Sequence, residues 1–266
     1  MKHKLSLFLC LTVCYIAAQN RTNELNIGVG YIEYKNNFTM PSGVSGTNYE
    51  IDYLHKHQLK SNTNIVFGHF ANLSFSVMET WRNASYSDYM FYDNGIDAGI
   101  FWLRHLPLKN NDFNFYAGAG LFFDANILNS TFHKYNSESK EIETTNGKWL
   151  ISPNIYFSGN YSLEKFSFQF SFSIPIFSVG YRTNTLFHTT VNESVKLALT
   201  PNTFCFFTER LYPKADILVS YPIFANDKTE SRIQLTYTHE QLVYNGFPYE
   251  RKISNGLKLG MVWMVK

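Results

Sequence analysis

Glu50, Asp52, Asp97, Asp124, Asp216, Arg232 and Glu240 each fall on the polar register of a segment in which every second residue is apolar or aromatic. If those segments are strands, the seven side chains share one face. Carboxylates and a guanidinium gathered there could pack as a polar network that rigidifies an interior. They could equally line a narrow path in which the acidic excess favours cations. Hydrolytic chemistry is a third option: Glu50-Ile51-Asp52 is a carboxylate pair, and His239 stands beside Glu240 as a base or acid. The eight histidines lack close spacing; His55-Lys56-His57 is a single i,i+2 pair, and a zinc site needs more ligands. No metal and no cofactor is expected.

The elements that position these residues have a period of two. From Lys165 to Phe177, Phe166, Phe168, Phe170, Phe172, Ile174 and Ile176 fall on one face, and Ser167, Gln169, Ser171, Ser173 and Pro175 on the other. A helix would spread those phenylalanines around its circumference. The alternation recurs at Leu25–Tyr31, Phe113–Phe123, Ile217–Ile223, Ile233–Tyr237 and Leu257–Val265. Weaker candidates are Tyr49–His57, Ile65–Val77, Ile96–Leu106 and Trp149–Tyr161, which brings the expectation to about ten strands, within 8–12.

Connections alternate in length. Segments 35–47, 78–95, 127–148, 180–213 and 244–252 are long or polar; 59–64, 107–112, 161–165 and 226–230 are short. Short turns at one end and long loops at the other match a closed antiparallel transmembrane β-barrel. In hydrocarbon the sheet must close, because each unpaired backbone group at an edge costs several kcal/mol. A soluble secreted β-barrel binding protein is the competing all-β reading, with the apolar face inward. Three features favour lipid: the loop asymmetry, polar faces made of small uncharged residues, and Tyr31, Trp149, Tyr161 and Trp263 near strand ends.

Composition excludes other classes. Aromatic residues make up 17% of the 266 and charged residues another 17%, unlike a disordered chain. Lys and Arg number 23 against 21 Asp and Glu, so no basic excess exists to track nucleic acid. Lys2 and Lys4 precede an apolar run from Leu5 to Ala18, which reads as a signal peptide over residues 1–18, with the barrel domain at 19–266. Cleavage there leaves 21 basic and 21 acidic residues and only Cys205, so no internal disulfide can form.

With this signal, ten alternating segments and the last strand Gly256-Leu257-Lys258-Leu259-Gly260-Met261-Val262-Trp263, the chain resembles bacterial outer-membrane β-barrel proteins. Its Asn-, Lys- and Tyr-rich composition is similar to that of Bacteroidota-type proteins, although no motif of one family is present. The resemblance implies a place in the cell outer membrane, contact with outer-membrane lipid, and insertion by the outer-membrane assembly machinery, which reads the final strand. That strand ends in Val265-Lys266 where the commonest pattern has a terminal Phe. It also implies periplasmic termini and five exterior loops. Barrel phospholipases and deacylases carry His-x-Ser, and none of His69, His188 and His239 is followed by it. The expected role is therefore non-enzymatic: an envelope barrel, with a narrow or gated passage for a small solute or apolar ligand. An outer-membrane enzyme acting on lipid or peptide is the alternative.

Two further expectations concern access. Pro153, Pro175 and Pro222 interrupt strands, where proline cannot donate to the ladder. If the hairpin turns near Leu163, position 153 lies across from about 173, so Pro153 and Pro175 would weaken that strand pair. The sharper reading is a lateral gap, resembling in this respect barrels that modify lipid A; the plainer one is a pair of bulges setting curvature. The segment 180–213 contains the apolar stretches Val195–Leu199 and Phe204–Phe207. It is expected to fold over or into the barrel mouth as a plug or lid.

Overall fold

Alternate side chains that must meet two different media require an extended backbone, and extended chains must find partners for every N–H and C=O. The structure, a computed structural model, describes residues 20–36, 40–58, 64–80, 89–107, 113–134, 140–182, 203–206, 208–245 and 250–265. Their strands are β1 (Asn20–Asn36), β2 (Met40–Gln58), β3 (Ile65–Thr80), β4 (Tyr89–Leu106), β5 (Phe113–Lys134), β6 (Lys140–Leu163), β7 (Phe166–Pro175), β8 (Phe177–Arg182), β9 (Thr203–Phe206), β10 (Arg210–Leu211), β11 (Lys214–Ala225), β12 (Thr229–Tyr244) and β13 (Glu250–Val265). Consecutive strands pair antiparallel from β1 to β7, then β7 pairs with β11, β11 with β12, β12 with β13, and β13 with β1. β8 continues β7, and β9, β10 and β11 share the next position in the wall. The result is a closed all-β cylinder of ten strand positions. The leader expected at 1–18 lies outside the described residues.

Register decides which face is inside. Ile27, Leu259 and Leu235 lie side by side across three strands and are 63%, 60% and 52% exposed. Their chain neighbours Asn26, Lys258 and Gln234 are 6%, 2% and 3% exposed. The apolar face therefore points out of the cylinder and the polar face into it, the reverse of a soluble barrel. Exposed Leu25, Val29, Leu73, Ile96, Leu121, Ile217 and Met261 continue the belt. Tyr53, Phe67, Trp102, Trp263, Phe166 and Tyr221 ring it at the end where the short turns lie, as amphipathic rings do at a lipid–water boundary.

Several expectations change. Segments 35–47, 78–95 and 127–148 are largely strand: β1 reaches Asn36 and β2 starts at Met40, and β5 reaches Lys134 with β6 starting at Lys140. The alternation fades there because water wets the outer face (Glu33, Lys35 and Glu79 are exposed), while backbone pairing continues. The apolar stretch 204–206 is wall and not plug. Phe204 and Phe206 are exposed on the outside, and β9 pairs with β8. Val195–Leu199 lies outside the described residues.

Pro175 and Pro153 are neighbours, with Asn154 opposite Pro175 across a turn at Glu164–Lys165. Their seam is not open: the Ile176 N–H donates to the Pro153 carbonyl at 2.9 Å, and β8 resumes on β6 one residue out of step. Pro175 thus marks a bulge, as does Pro222, where β11 shifts register against β12. The interruption lies on the other side of β7. Between Ser173↔Lys214 and Phe177↔Phe206, residues 174–176 have no ladder partner among the described residues 208–213.

Candidate functional site

The site is the lumen, and parity alone determines what enters it. Glu50, Asp52, Asp97, Asp124, Asp216, Arg232 and Glu240 all project inward, from β2, β4, β5, β11 and β12. They do not form one cluster. The inner face also carries far more charge than the small uncharged residues expected there: Lys56, Lys148, Arg210, Lys214, Lys252 and Lys258 point inward. The signal for Lys258 was present, since it alternates with Leu257 and Leu259. Lys56 also falls within an expected strand, Tyr49–His57, whereas Lys148, Arg210 and Lys252 lie where strands were not expected.

Going from the loop end to the turn end, the lumen has layers. First, Ile32, Tyr34, Val44, Met78, Phe91 and Leu128 pack together inside β1–β5. Beneath them lies a belt of ion pairs. Lys252 holds Asp93 at 2.9 Å, Lys148 holds Glu250 at 3.2 Å, Arg210 holds Asp124 at 2.8 Å and Lys214 holds Glu240 at 2.6 Å. Lys258, 2% exposed at its side chain, bridges Glu50 and Asp52. Amides fill the remaining valences: Asn48 and Asn72 donate to Glu50 and Asp52, and the Ser76 hydroxyl donates to Asn48 at 2.7 Å. The cavity within this belt is about 20 Å³, room for about one water.

Arg210 enters from the interrupted seam. Its guanidinium donates to Ser178 Oγ at 2.8 Å as well as to Asp124, and it lies 5.2 Å from the centre of the Tyr212 ring. Tyr212 in turn donates to Glu240 at 3.3 Å. Arg210 and Tyr212 thus reach into the lumen from a segment that itself pairs with β12, while residues 183–202 of the segment expected to fold over or into the mouth lie outside the described residues.

The middle of the lumen has two unlike walls. On β3–β6, Phe70, Phe101, Phe122 and Tyr156 point inward. Phe101 and Tyr156 are parallel at 4.9 Å, and Phe70 meets Phe122 edge to face at 4.9 Å. Gly68 and Gly99 make the room: a Cβ on Gly68 would stand 2.2 Å from Phe101, and one on Gly99 2.6 Å from Phe70. Facing them, from β1, β7, β11 and β12, are Glu24, Ser171, Asp216 and Thr236. A cavity of about 90 Å³ lies between the walls. Sharing Glu24, Tyr156, Gln169 and Leu218, it opens into a vestibule of about 350 Å³ toward the turn end, where Arg232 pairs with Glu230.

His239 is not part of this lumen. It faces outward with its Nδ1 2.8 Å from Asn255 Oδ1, while Glu240 faces inward, so the pair considered for hydrolysis is split across the wall. Among the described residues, no group of three or more His, Cys, Asp or Glu could hold a metal ion.

Three solved structures illustrate what the chain is similar to. The transport unit of the autotransporter AIDA-I from Escherichia coli is 10% identical with a TM-score of 0.39, the match covering 90% of this chain and 89% of that one. The translocator domain of the autotransporter NalP from Neisseria meningitidis is 9% identical with a TM-score of 0.37, covering 97% and 95%. The attachment invasion locus protein Ail of Yersinia pestis is 11% identical with a TM-score of 0.31, covering 91% and 97%. No known family model and no curated protein matches the sequence.

Proposed function

We propose that the chain is a non-enzymatic barrel of a bacterial outer membrane, with its turn end in the periplasm. Its lumen is a gated passage held shut in its outer half and open as a chamber below. The observation that carries this is the fall in cavity volume along the axis, from about 350 Å³ through 90 Å³ to 20 Å³ at the ion-pair belt. A small solute can enter the lower half, but nothing larger than water fits through the belt as it stands. The contacts that close it are side-chain pairs, which can be broken without breaking the ladder. Conductance in planar bilayers tests the reading: the wild-type protein is expected to show no steady open channel. Removing Arg210 and Lys258 together should produce measurable conductance. A large ohmic conductance in the wild type would refute the closed belt.

A lateral portal is a second reading, favoured by the seam where residues 174–176 have no ladder partner among the described residues 208–213. On this reading Pro153 and Pro175 do not themselves open the wall. Pro175 ends the β7 ladder beside the opening, and Arg210 holds it closed from inside.

A further inference from the structure

The middle cavity contains polar atoms that the protein leaves unsatisfied. Thr236, 4% exposed, has no hydrogen-bond partner for its hydroxyl among the described residues. Glu24 gives Oε1 to Lys56 at 2.8 Å, but its buried Oε2 has no partner among the described residues. Asp216 accepts hydrogen bonds from Ser171 at 3.0 Å and Thr238 at 2.8 Å, yet no cation pairs with it among the described residues. All three residues line the same cavity. Lys214, the cation on that wall, is already engaged by Glu240 at 2.6 Å. Across the cavity stands an aromatic wall, with Tyr156 stacked on Phe101 and Phe70 set against Phe122, and aromatic rings attract positive charge.

Each ligand class can be weighed against this arrangement. An anion would approach the unpaired Asp216 and the spare Glu24 oxygen at a repulsive cost. A neutral hydrocarbon would satisfy the rings but keep those oxygens desolvated. A bare metal ion would find too few oxygens for its shell and gain nothing from the aromatic wall. A small organic ammonium with an aromatic or apolar body satisfies both walls, its N–H groups directed at Asp216, Glu24 and Thr236. The geometry points to such a cation as the ligand of the middle cavity. This rests on the chamber reading above and names its ligand class. The cavity is small, and a longer body extends into the vestibule it adjoins.

The test titrates the full barrel in detergent micelles, by calorimetry, with three probes of similar shape: phenethylammonium, phenethyl alcohol and 3-phenylpropanoate. The expected result is phenethylammonium at least tenfold tighter than the alcohol, and no detectable propanoate binding. Asp216→Asn should remove most of that tenfold preference and leave the alcohol unchanged. Thr236→Val, a near-isosteric change, should weaken phenethylammonium severalfold and serves as the second variant if Asp216→Asn does not fold. Equal affinity for the three probes, or a preference that survives both variants, would overturn the cation assignment while leaving the chamber intact. Silence from all three probes would overturn the assignment and the chamber together.

Discussion

Lys258 sits between Leu257 and Leu259 in the last strand, and the alternation turns it from a surface lysine into one of the most buried side chains of the barrel. It bridges Glu50 and Asp52, so its removal leaves two carboxylates facing each other in a confined space. Breaking a buried pair from one side costs about 3–5 kcal/mol. Lys258→Met is expected to lose about that much in urea unfolding from micelles, and adding Glu50→Gln and Asp52→Asn should restore most of it. Gly68 makes a second prediction at this scale. Gly68→Val drives a side chain into the Phe101 ring, and overpacking of this kind costs about 1–3 kcal/mol. The thermal midpoint should fall, and phenethylammonium affinity should fall with it because Phe101 is displaced from the cavity wall.

Among the elements, the wall is uneven. The β1–β13 ladder runs without interruption from Arg21↔Val265 to Asn36↔Glu250, whereas the join of β7–β8 to β9–β11 is broken between residues 174–176 and the described residues 208–213. Local opening tracks missing ladder bonds. Amides of 208–212 are expected to exchange at least tenfold faster than those of β1, and Arg210→Ala, which frees this segment from Asp124 and Ser178, should widen the difference. Equal protection in the two regions would remove the case for a lateral portal. Pro175→Val should change exchange little at the β6–β7 seam, since the Ile176 N–H already bonds across to Pro153 there.

For the molecule as a whole, the outward apolar belt is the face that the proposed membrane would cover. Ile27, at 63% exposure, lies near the middle of the belt on β1. Arg at a bilayer midplane costs a barrel about 2–4 kcal/mol. Ile27→Arg should lower folding stability in lipid vesicles by that amount, whereas on a soluble barrel the same exposed position would tolerate the charge. Inside, the described carboxylates outnumber the cations: Lys258 serves two acids, and Asp97 and Asp216 have no ion-pair partner among the described residues. The lumen therefore carries an acidic lining among the described residues, as the proposed ammonium ligand requires.

The strand period, the approximate number of strands and the inward placement of Glu50, Asp52, Asp97, Asp124, Asp216, Arg232 and Glu240 are legible in the sequence, because alternation is a local property of the chain. The extensions of β1–β6 beyond the belt are not, since a strand wetted on both faces loses its apolar rhythm while keeping its ladder. Only the closed register could decide that the greasy face points outward, that Lys258 meets Glu50 and Asp52, and that Phe101 stacks on Tyr156 over a glycine-relieved wall. Those pairings join residues far apart in the chain, and no local pattern encodes which distant partner a side chain will meet once the cylinder closes.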